Sequence, residues 1–310
     1  MSKYIVTGGA GFIGSNIVKE LVKRGETVKV IDNLSTGYEK NFAEIKDKIE
    51  FVQGDIKDLE FLQKEFAGFD YVLHQAALCS VPRSINDPIA SNANNTDGTL
   101  NVLVAARDNK IKRVVYASSS SVYGDQELDY KVETLPIKPL SPYALNKYAA
   151  ERYTQLFYEI YGLETVCLRY FNVFGPNQDP DSAYSAVIPL FIKAMLKGEN
   201  PTIFGDGSQA RDFTYVENNV EANILAATGA QGAGEVCNIA CGSSISLNEL
   251  VAMINKELGT DIKPEYRENR QGDIKISKAN IDKAKNILGY EPKVNFEEGL
   301  KKTIEWYKNN

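Results

Sequence analysis

Short apolar runs separated by amphipathic stretches of helix length set the strongest limit on what this chain can fold into. YIVTGG, TVKVID, IEFVQGD, FDYVLHQAA, RVVYASSS and ETVCLRYFN read as strands, while GSNIVKELVKRG and TDGTLNVLVAARDN between them read as helices. The strands are apolar almost throughout instead of alternating, so both faces of their sheet must be covered. Repeated strand–helix units of this kind predict an α/β fold with a doubly wound parallel sheet of Rossmann type. Such sheets bind ligands at the carboxyl ends of their strands, near the point where strand order reverses. After about Asn172 the alternation weakens and loops such as FGPNQDPDS and FGDGSQARD take over. The pattern predicts a nucleotide-binding domain over residues 1–171 and a smaller C-terminal, substrate-binding lobe over 172–310. FTYVENNVEANILAA and VCNIA, within 212–240, are expected to thread back to the first domain.

A chain of 310 residues, 43% hydrophobic and 25% charged, suits one large domain or two modest ones. Its formal charge of −6 offers no general attraction to nucleic acid or to an anionic membrane. An anionic ligand must therefore be held by a few placed cations and backbone amides. No apolar run is long enough to cross a bilayer, and the sequence opens directly on a strand pattern, so a cytoplasmic protein is expected. Cys237 and Cys241 lack a second cysteine pair or nearby histidines, which argues against zinc. The four cysteines, with Cys79 and Cys167, read as buried reduced thiols and no metal site is predicted.

VTGGAGFIGSN lies between the first strand and the first helix, with Gly8, Gly11 and Gly14 in a G-x-x-G-x-x-G spacing. Glycines there permit a tight turn and bring backbone close to a pyrophosphate, whose charge suits a helix N-terminus. Asp32 ends the second strand at the expected distance, where a carboxylate can bind both adenosine ribose hydroxyls. Its alternative is a cap or turn residue. Asn33 and the turn Ser35–Gly37 supply neutral groups and no arginine, which favours NAD over NADP. Asp55 and Ile56 follow the third strand, where an acidic side chain could accept the adenine amino group; GD is also a common turn pair.

In SPYALNKYAAE, Ser141 can cap a helix, Pro142 suits its first position, and Tyr143 and Lys147 share one face at i and i+4. A nearby ammonium, the helix N-terminus and an oxidised nicotinamide all favour phenolate, moving tyrosine's pKa down from about 10. The pair can then serve as a general base. RVVYASSSSVYG should end at the same sheet edge and place serine hydroxyls beside the tyrosine. Ser119 is the expected relay, ahead of Ser118 and Ser120.

The glycine pattern, the serine strand followed by YG, and Y-x-x-x-K resemble the extended short-chain dehydrogenase/reductase superfamily. More narrowly, HQAALCSVPRSINDP, SPYALNKYAAE, LRYFNVFGP and GDGSQARDF resemble the UDP-hexose 4-epimerases over essentially the whole chain. The resemblance implies a reaction without net redox change. Tyr143, directly or through Ser119, takes the proton of the sugar's 4-hydroxyl; bound NAD takes the C4 hydride and returns it to the opposite face of a 4-keto sugar. Lys147 binds the nicotinamide ribose. Phe12, Ile13, Gln75, Asn94 and Tyr170 are implied cofactor contacts. Ser80, Arg83, Asn172, Val187, Arg211, Arg270 and Asp273 are implied substrate contacts, with Phe204 near the uracil. Arginines suit a pyrophosphate because each can fork onto it. His74, the only histidine, is assigned a structural or cofactor-wall role.

The resemblance also addresses the sugar. Ser277 stands where a bulky tyrosine would restrict the pocket to glucose and galactose, and SVPRSINDP is similar to the subgroup that takes N-acetylated sugars. UDP-GlcNAc/UDP-GalNAc interconversion is the expectation, with UDP-Glc/UDP-Gal alongside. Rival readings are a UDP-glucuronate 4-epimerase or decarboxylase, a nucleotide-sugar 4,6-dehydratase, and a non-catalytic NAD(H)-binding regulator. Family analogy implies a homodimer through helices like Asn94–Asn109 and Tyr143–Tyr161.

Overall fold

The computed structural model describes residues 1–126, 128, 130–180, 186–268 and 276–310. Arg270 and Asp273 lie outside these. The strands are β1 (Lys3–Thr7), β2 (Thr27–Asp32), β3 (Glu50–Gln53), β4 (Tyr71–His74), β5 (Arg113–Ser119), β6 (Glu164–Tyr170), β7 (Val173–Phe174), β8 (Thr202–Phe204), β9 (Ala210–Arg211), β10 (Thr214–Tyr215), β11 (Glu235–Ile239), β12 (Ile245–Ser246), β13 (Glu265–Arg267) and β14 (Ile276–Ser277). The helices are α1 (Phe12–Lys23), α2 (Leu59–Glu65), α3 (Val81–Asn86), α4 (Pro88–Asn92), α5 (Gly98–Asp108), α6 (Pro142–Tyr161), α7 (Val187–Leu196), α8 (Val216–Thr228), α9 (Leu247–Leu258), α10 (Asp282–Leu288) and α11 (Phe296–Asn309).

Seven parallel strands form one sheet in the order β11-β6-β5-β4-β1-β2-β3. Strand order reverses between β1 and β4, which makes their carboxyl ends the expected ligand crevice. The uninterrupted apolar character of the strands is explained by their two covered faces. Val6, Val30, Leu73 and Val115 pack with Val18 and Leu21 of α1 and Ala222 of α8. Ile5, Ile31, Val72 and Val114 pack on the other side with Leu62 of α2, Val102 of α5 and Phe157 of α6. Neighbouring residues in a strand point to opposite faces, so Ile5 and Val6 serve different cores.

The chain crosses back to this sheet after leaving it. α8 packs against β4, β5 and β6, and β11 pairs with β6 as an edge strand. The remaining strands make three small sheets: β7 with β10, β8 with β13, and β9 between β12 and β14. α6 has its start and stop written locally. Ser141 accepts the Ala144 amide at 3.2 Å, Pro142 takes the first turn, and Gly162 closes the helix in the left-handed region.

Candidate active site

The glycine loop separates two requirements. Gly8 has φ +70, and a Cβ there would stand 2.6 Å from the Ala76 amide nitrogen; at Gly14 it would stand 2.1 Å from the Gly8 carbonyl oxygen. The fold itself demands glycine at both. At Gly11 the added atom would meet only that same carbonyl, at 3.2 Å. Gly11 is the N-cap of α1, has no capping side chain, and is followed by a first turn without an acidic residue. Phe12 and Ile13 open that turn, so backbone amides and the positive helix end are left for an external anion. This cradle fits a dinucleotide pyrophosphate.

Asp32 sits at the carboxyl end of β2, buried, with its Oδ2 accepting the Ala10 amide at 3.0 Å and its Oδ1 the Leu34 amide at 2.8 Å. Burial raises its pKa and the two amides partly offset that. The carboxylate thus ties the glycine loop to the turn after β2, and each oxygen keeps a lone pair for a ribose hydroxyl. Asn33 donates to Asp55 Oδ2 at 3.1 Å and accepts the Ser35 amide, which joins the ends of β2 and β3. Gly37 lets the following loop lie against Ala10, where a Cβ would come within 2.8 Å of backbone. Ile56 is buried beneath α5, against Gly98.

At the end of β4, His74 is enclosed by two threonines, Thr7 Oγ1 at 2.6 Å from Nδ1 and Thr99 Oγ1 at 2.9 Å from Nε2. Thr99 gives its own hydrogen to the Asn95 carbonyl, so Nε2 must be the donor and Nδ1 the acceptor. Burial lowers the His74 pKa to about 3. Gln75, Tyr170 and Asn223 form a triangle: Tyr170 Oη to Gln75 at 3.1 Å, Asn223 to Tyr170 at 2.6 Å, and Gln75 to Asn223 at 3.0 Å. Asn94 sits in a π-helical turn over Ala93–Asp97 and donates to the Ala90 carbonyl. Its neighbour Asn95 latches both backbone groups of Leu78.

Tyr143, Lys147 and Ser119 come together. Ser119 lies near enough to the Tyr143 hydroxyl to favour its ionised form, and it caps the tight turn Ser120–Tyr123, accepting from the Ser121 amide and hydroxyl at 3.2 and 2.9 Å. Ser118 is instead committed to Glu151, at 2.6 Å. Lys147 is buried; its Nζ donates to the Ala117 carbonyl at 2.9 Å and lies 5.0 Å above the Tyr116 ring. The expected lowering of the tyrosine's pKa is not met within the protein alone. Burial pushes Tyr143 well above its ordinary value, the neighbouring Cys79 adds to this, and the bond from Ser119 works against it. Burial also lowers Lys147.

Cys79 departs from the expectation of a buried thiol: it is exposed, and Tyr143 donates to its sulfur at 3.9 Å. Cys241 is half-buried, while Cys167 and Cys237 are buried. Nothing in the spacing of Cys79 revealed its role, because the contact depends on the path of the loop after β4.

A second region collects the distal residues. Asn172, Val187, Phe204 and Arg211 all line one cavity of about 300 Å³, with Phe174, Phe191 and Phe213 among its apolar walls. Ser277 lies directly across from Arg211 in the β9–β14 pair and is buried. Ser80 and Arg83 stand apart from this cavity; Ser80 caps α3 through the Arg83 amide, next to Cys79. Sequence reasoning passed over Asp212, adjacent to Arg211. Its buried carboxylate accepts amides of Cys241, Gly242 and Ala279, and burial raises its pKa to about 6. The signal available was its place in the ARD triplet after a loop.

The model of the NAD-dependent epimerase/dehydratase family matches residues 4–240. The chain belongs to that family. A protein of Methanocaldococcus jannaschii named as a putative UDP-glucose 4-epimerase is 41% identical over 308 residues, 99% of this chain and 98% of its own. Among solved structures, a UDP-N-acetylglucosamine 4-epimerase from Methanobrevibacter ruminantium, in complex with UDP-N-acetylmuramic acid, is 43% identical with a TM-score of 0.95, covering 99% of this chain and 98% of that one. A Thermotoga maritima UDP-glucose 4-epimerase with UDP-glucose is 38% identical with a TM-score of 0.94, covering 99% of each.

The turn after Ser119 holds Ser120, Ser121, Val122 and Tyr123. Among the described residues, no group of three or more His, Cys, Asp or Glu side chains could hold a metal ion, and no helix is long and apolar enough to cross a membrane.

Proposed function

We propose that this protein is an NAD-dependent UDP-sugar 4-epimerase acting on UDP-GlcNAc and UDP-GalNAc, with UDP-Glc and UDP-Gal as further substrates. The observation that carries the reading is the approach of Ser119 to Tyr143, with Lys147 one turn along α6, at the carboxyl edge of the sheet and apart from the Arg211 cavity. The chemistry that NAD would supply when bound is reversible hydride acceptance at the sugar's C4. The glycine loop with Gly8, Gly11 and Gly14 would hold its pyrophosphate, and Asp32 the adenosine ribose.

Tyr143 takes the proton of the 4-hydroxyl, directly or through Ser119. Burial alone holds the phenol protonated, so the step needs the positive charge of Lys147 and of a bound oxidised nicotinamide to favour the phenolate. Lys147, anchored on the Ala117 carbonyl, orients the cofactor ribose and supplies positive charge next to the base. Asn172, Phe204 and Arg211 hold the UDP, so the hexose can turn while the nucleotide stays fixed. Ser277, small and beside Arg211, leaves room for a 2-acetamido group.

Residues 1–171 with 212–240 serve as the NAD-binding domain and 172–310 as the UDP-sugar lobe. The working form is a cytoplasmic homodimer: Leu145 and Ile160 of α6 and Ile89 of α4 are more than half exposed, apolar surface that a second copy would cover. Incubating the protein with UDP-GlcNAc and following the anomeric protons by NMR tests the activity. UDP-GalNAc is the expected product; an unchanged spectrum with every UDP-hexose, even after NAD is added, would overturn the reading.

A further inference from the structure

A row of buried polar residues crosses three strands just beneath the reacting groups. Ser118, Arg169 and Asn238 are direct neighbours in register on β5, β6 and β11, and all three are buried. Ser118 and Arg169 both reach the carboxylate of Glu151 on α6. Ser118 Oγ donates at 2.6 Å, Arg169 Nε at 3.0 Å and Arg169 Nη2 at 2.6 Å. Arg169 also donates to Tyr123 Oη at 2.7 Å, which passes its hydrogen to Asn238 at 2.7 Å. Every member has partners, so the row is rigid and not a set of stranded polar groups.

Glu151 follows Tyr143 and Lys147 at i+8 and i+4, one face of α6 at 1.5 Å per residue. Ser118 directly precedes Ser119. The end of β5 therefore meets three turns of α6, though not in chain order: the Ala117 carbonyl takes Lys147, Ser118 takes Glu151, and Ser119 lies by Tyr143. The Ser118–Glu151 contact carries no substrate chemistry. We infer that Glu151 is a positioning residue for the epimerisation proposed above, fastening Ser118, and through the strand Ser119, to the helix that carries Tyr143 and Lys147. The inference rests on that functional reading. The groups that act on the Tyr143 hydroxyl are Cys79 from the loop after β4 and Tyr116 and Ser119 from β5, while Lys147 of α6 lies over the Tyr116 ring. Glu151 acts on it only through Ser119.

The test is Ser118→Ala, which removes the hydroxyl while leaving the Arg169–Glu151 pair intact, with Ser118→Thr as the conservative rescue. A misplaced reacting group costs on the order of 10- to 100-fold in rate. Ser118→Ala is expected to lose about that much kcat, with KM, UDP affinity by calorimetry and melting temperature close to wild type. Its acid limb of kcat should move to higher pH, because the bond from Ser119 that favours phenolate is weakened. Ser118→Thr should restore both. Unchanged kcat and pH profile in Ser118→Ala would overturn the inference, as would a kcat loss matched by equal losses in UDP affinity and melting temperature. If wild type turned over no UDP-hexose, the functional reading would fail first and Glu151's role with it; wild-type turnover alongside an indifferent Ser118→Ala would sink the clamp alone.

Discussion

The Tyr143 hydroxyl faces two side chains that pull its proton in opposite directions, and the nearer surprise is Cys79, whose sulfur lies 3.9 Å away. Cys79 favours the protonated phenol, while Ser119 favours the phenolate. Replacing Cys79 by Ala should therefore let Tyr143 ionise at lower pH. The acid limb of the kcat profile is expected to move down in pH for Cys79→Ala and up for Ser119→Ala. Shifts in the same direction for both would refute this arrangement.

The glycine loop gives a prediction that separates folding from cofactor binding. Gly14→Ala puts a Cβ 2.1 Å from a backbone oxygen and is expected to abolish or severely reduce soluble, folded protein. Gly11→Ala meets one atom at 3.2 Å and should fold with near-wild-type circular dichroism. Its NAD affinity, read by calorimetry, should drop at least ten-fold because the added methyl stands at the pyrophosphate cradle. Full retention of NAD by Gly11→Ala would remove that glycine from the binding site.

The buried Ser277 beside Arg211 sets the third expectation. Ser277→Tyr should suppress turnover of UDP-GlcNAc by two orders of magnitude or more while sparing UDP-galactose, as roughly expected when bulk fills a pocket. Separate assays on the two substrates decide it. Equal survival of both activities would show that the acetamido group lies elsewhere.

His74 supplies a spectroscopic test, since the chain has one histidine. With its pKa lowered to about 3 by burial, its ring protons should not titrate between pH 8 and 5. The sign of the linkage follows. A neutral buried imidazole contributes stability above the unfolded value near 6.5, and that contribution is lost as pH falls from there toward 3. Integrated over the whole window, it amounts to about 5 kcal/mol. His74→Gln should therefore lose less stability than wild type on going from pH 7 to pH 5 in urea titrations. An imidazole signal that shifts near pH 6.5 would show the ring to be solvated.

The sequence announced what depends on local order. Gly8, Gly14 and Asp32 were legible because a turn, a helix start and a strand end lie within one βαβ unit, and Tyr143 with Lys147 because a helix spaces them. Ser118 and Ser119 are adjacent in sequence, and what sets them apart in the structure is a carboxylate 33 positions away that engages Ser118. Glu151, Asp212 and Cys79 were silent for the same reason. Each acquires its meaning from partners brought up by other strands, and a single sequence carries no record of which strands become neighbours. The upward pull on Tyr143 was missed because desolvation depends on packing density around the phenol, which residue spacing does not encode.

One consequence concerns how the chain can be divided. Its seventh strand, β11, joins β6 only after a long excursion from residue 171 to 234, and it brings Asn238 into the polar row. A piece ending at residue 171 would keep β6 paired with β5 but leave its other edge open, a template for joining another chain edge to edge. The nucleotide half thus has no natural cut point. During synthesis Tyr143 and Glu151 emerge well before the strand that completes the sheet, and the polar row can close only once Asn238 is out.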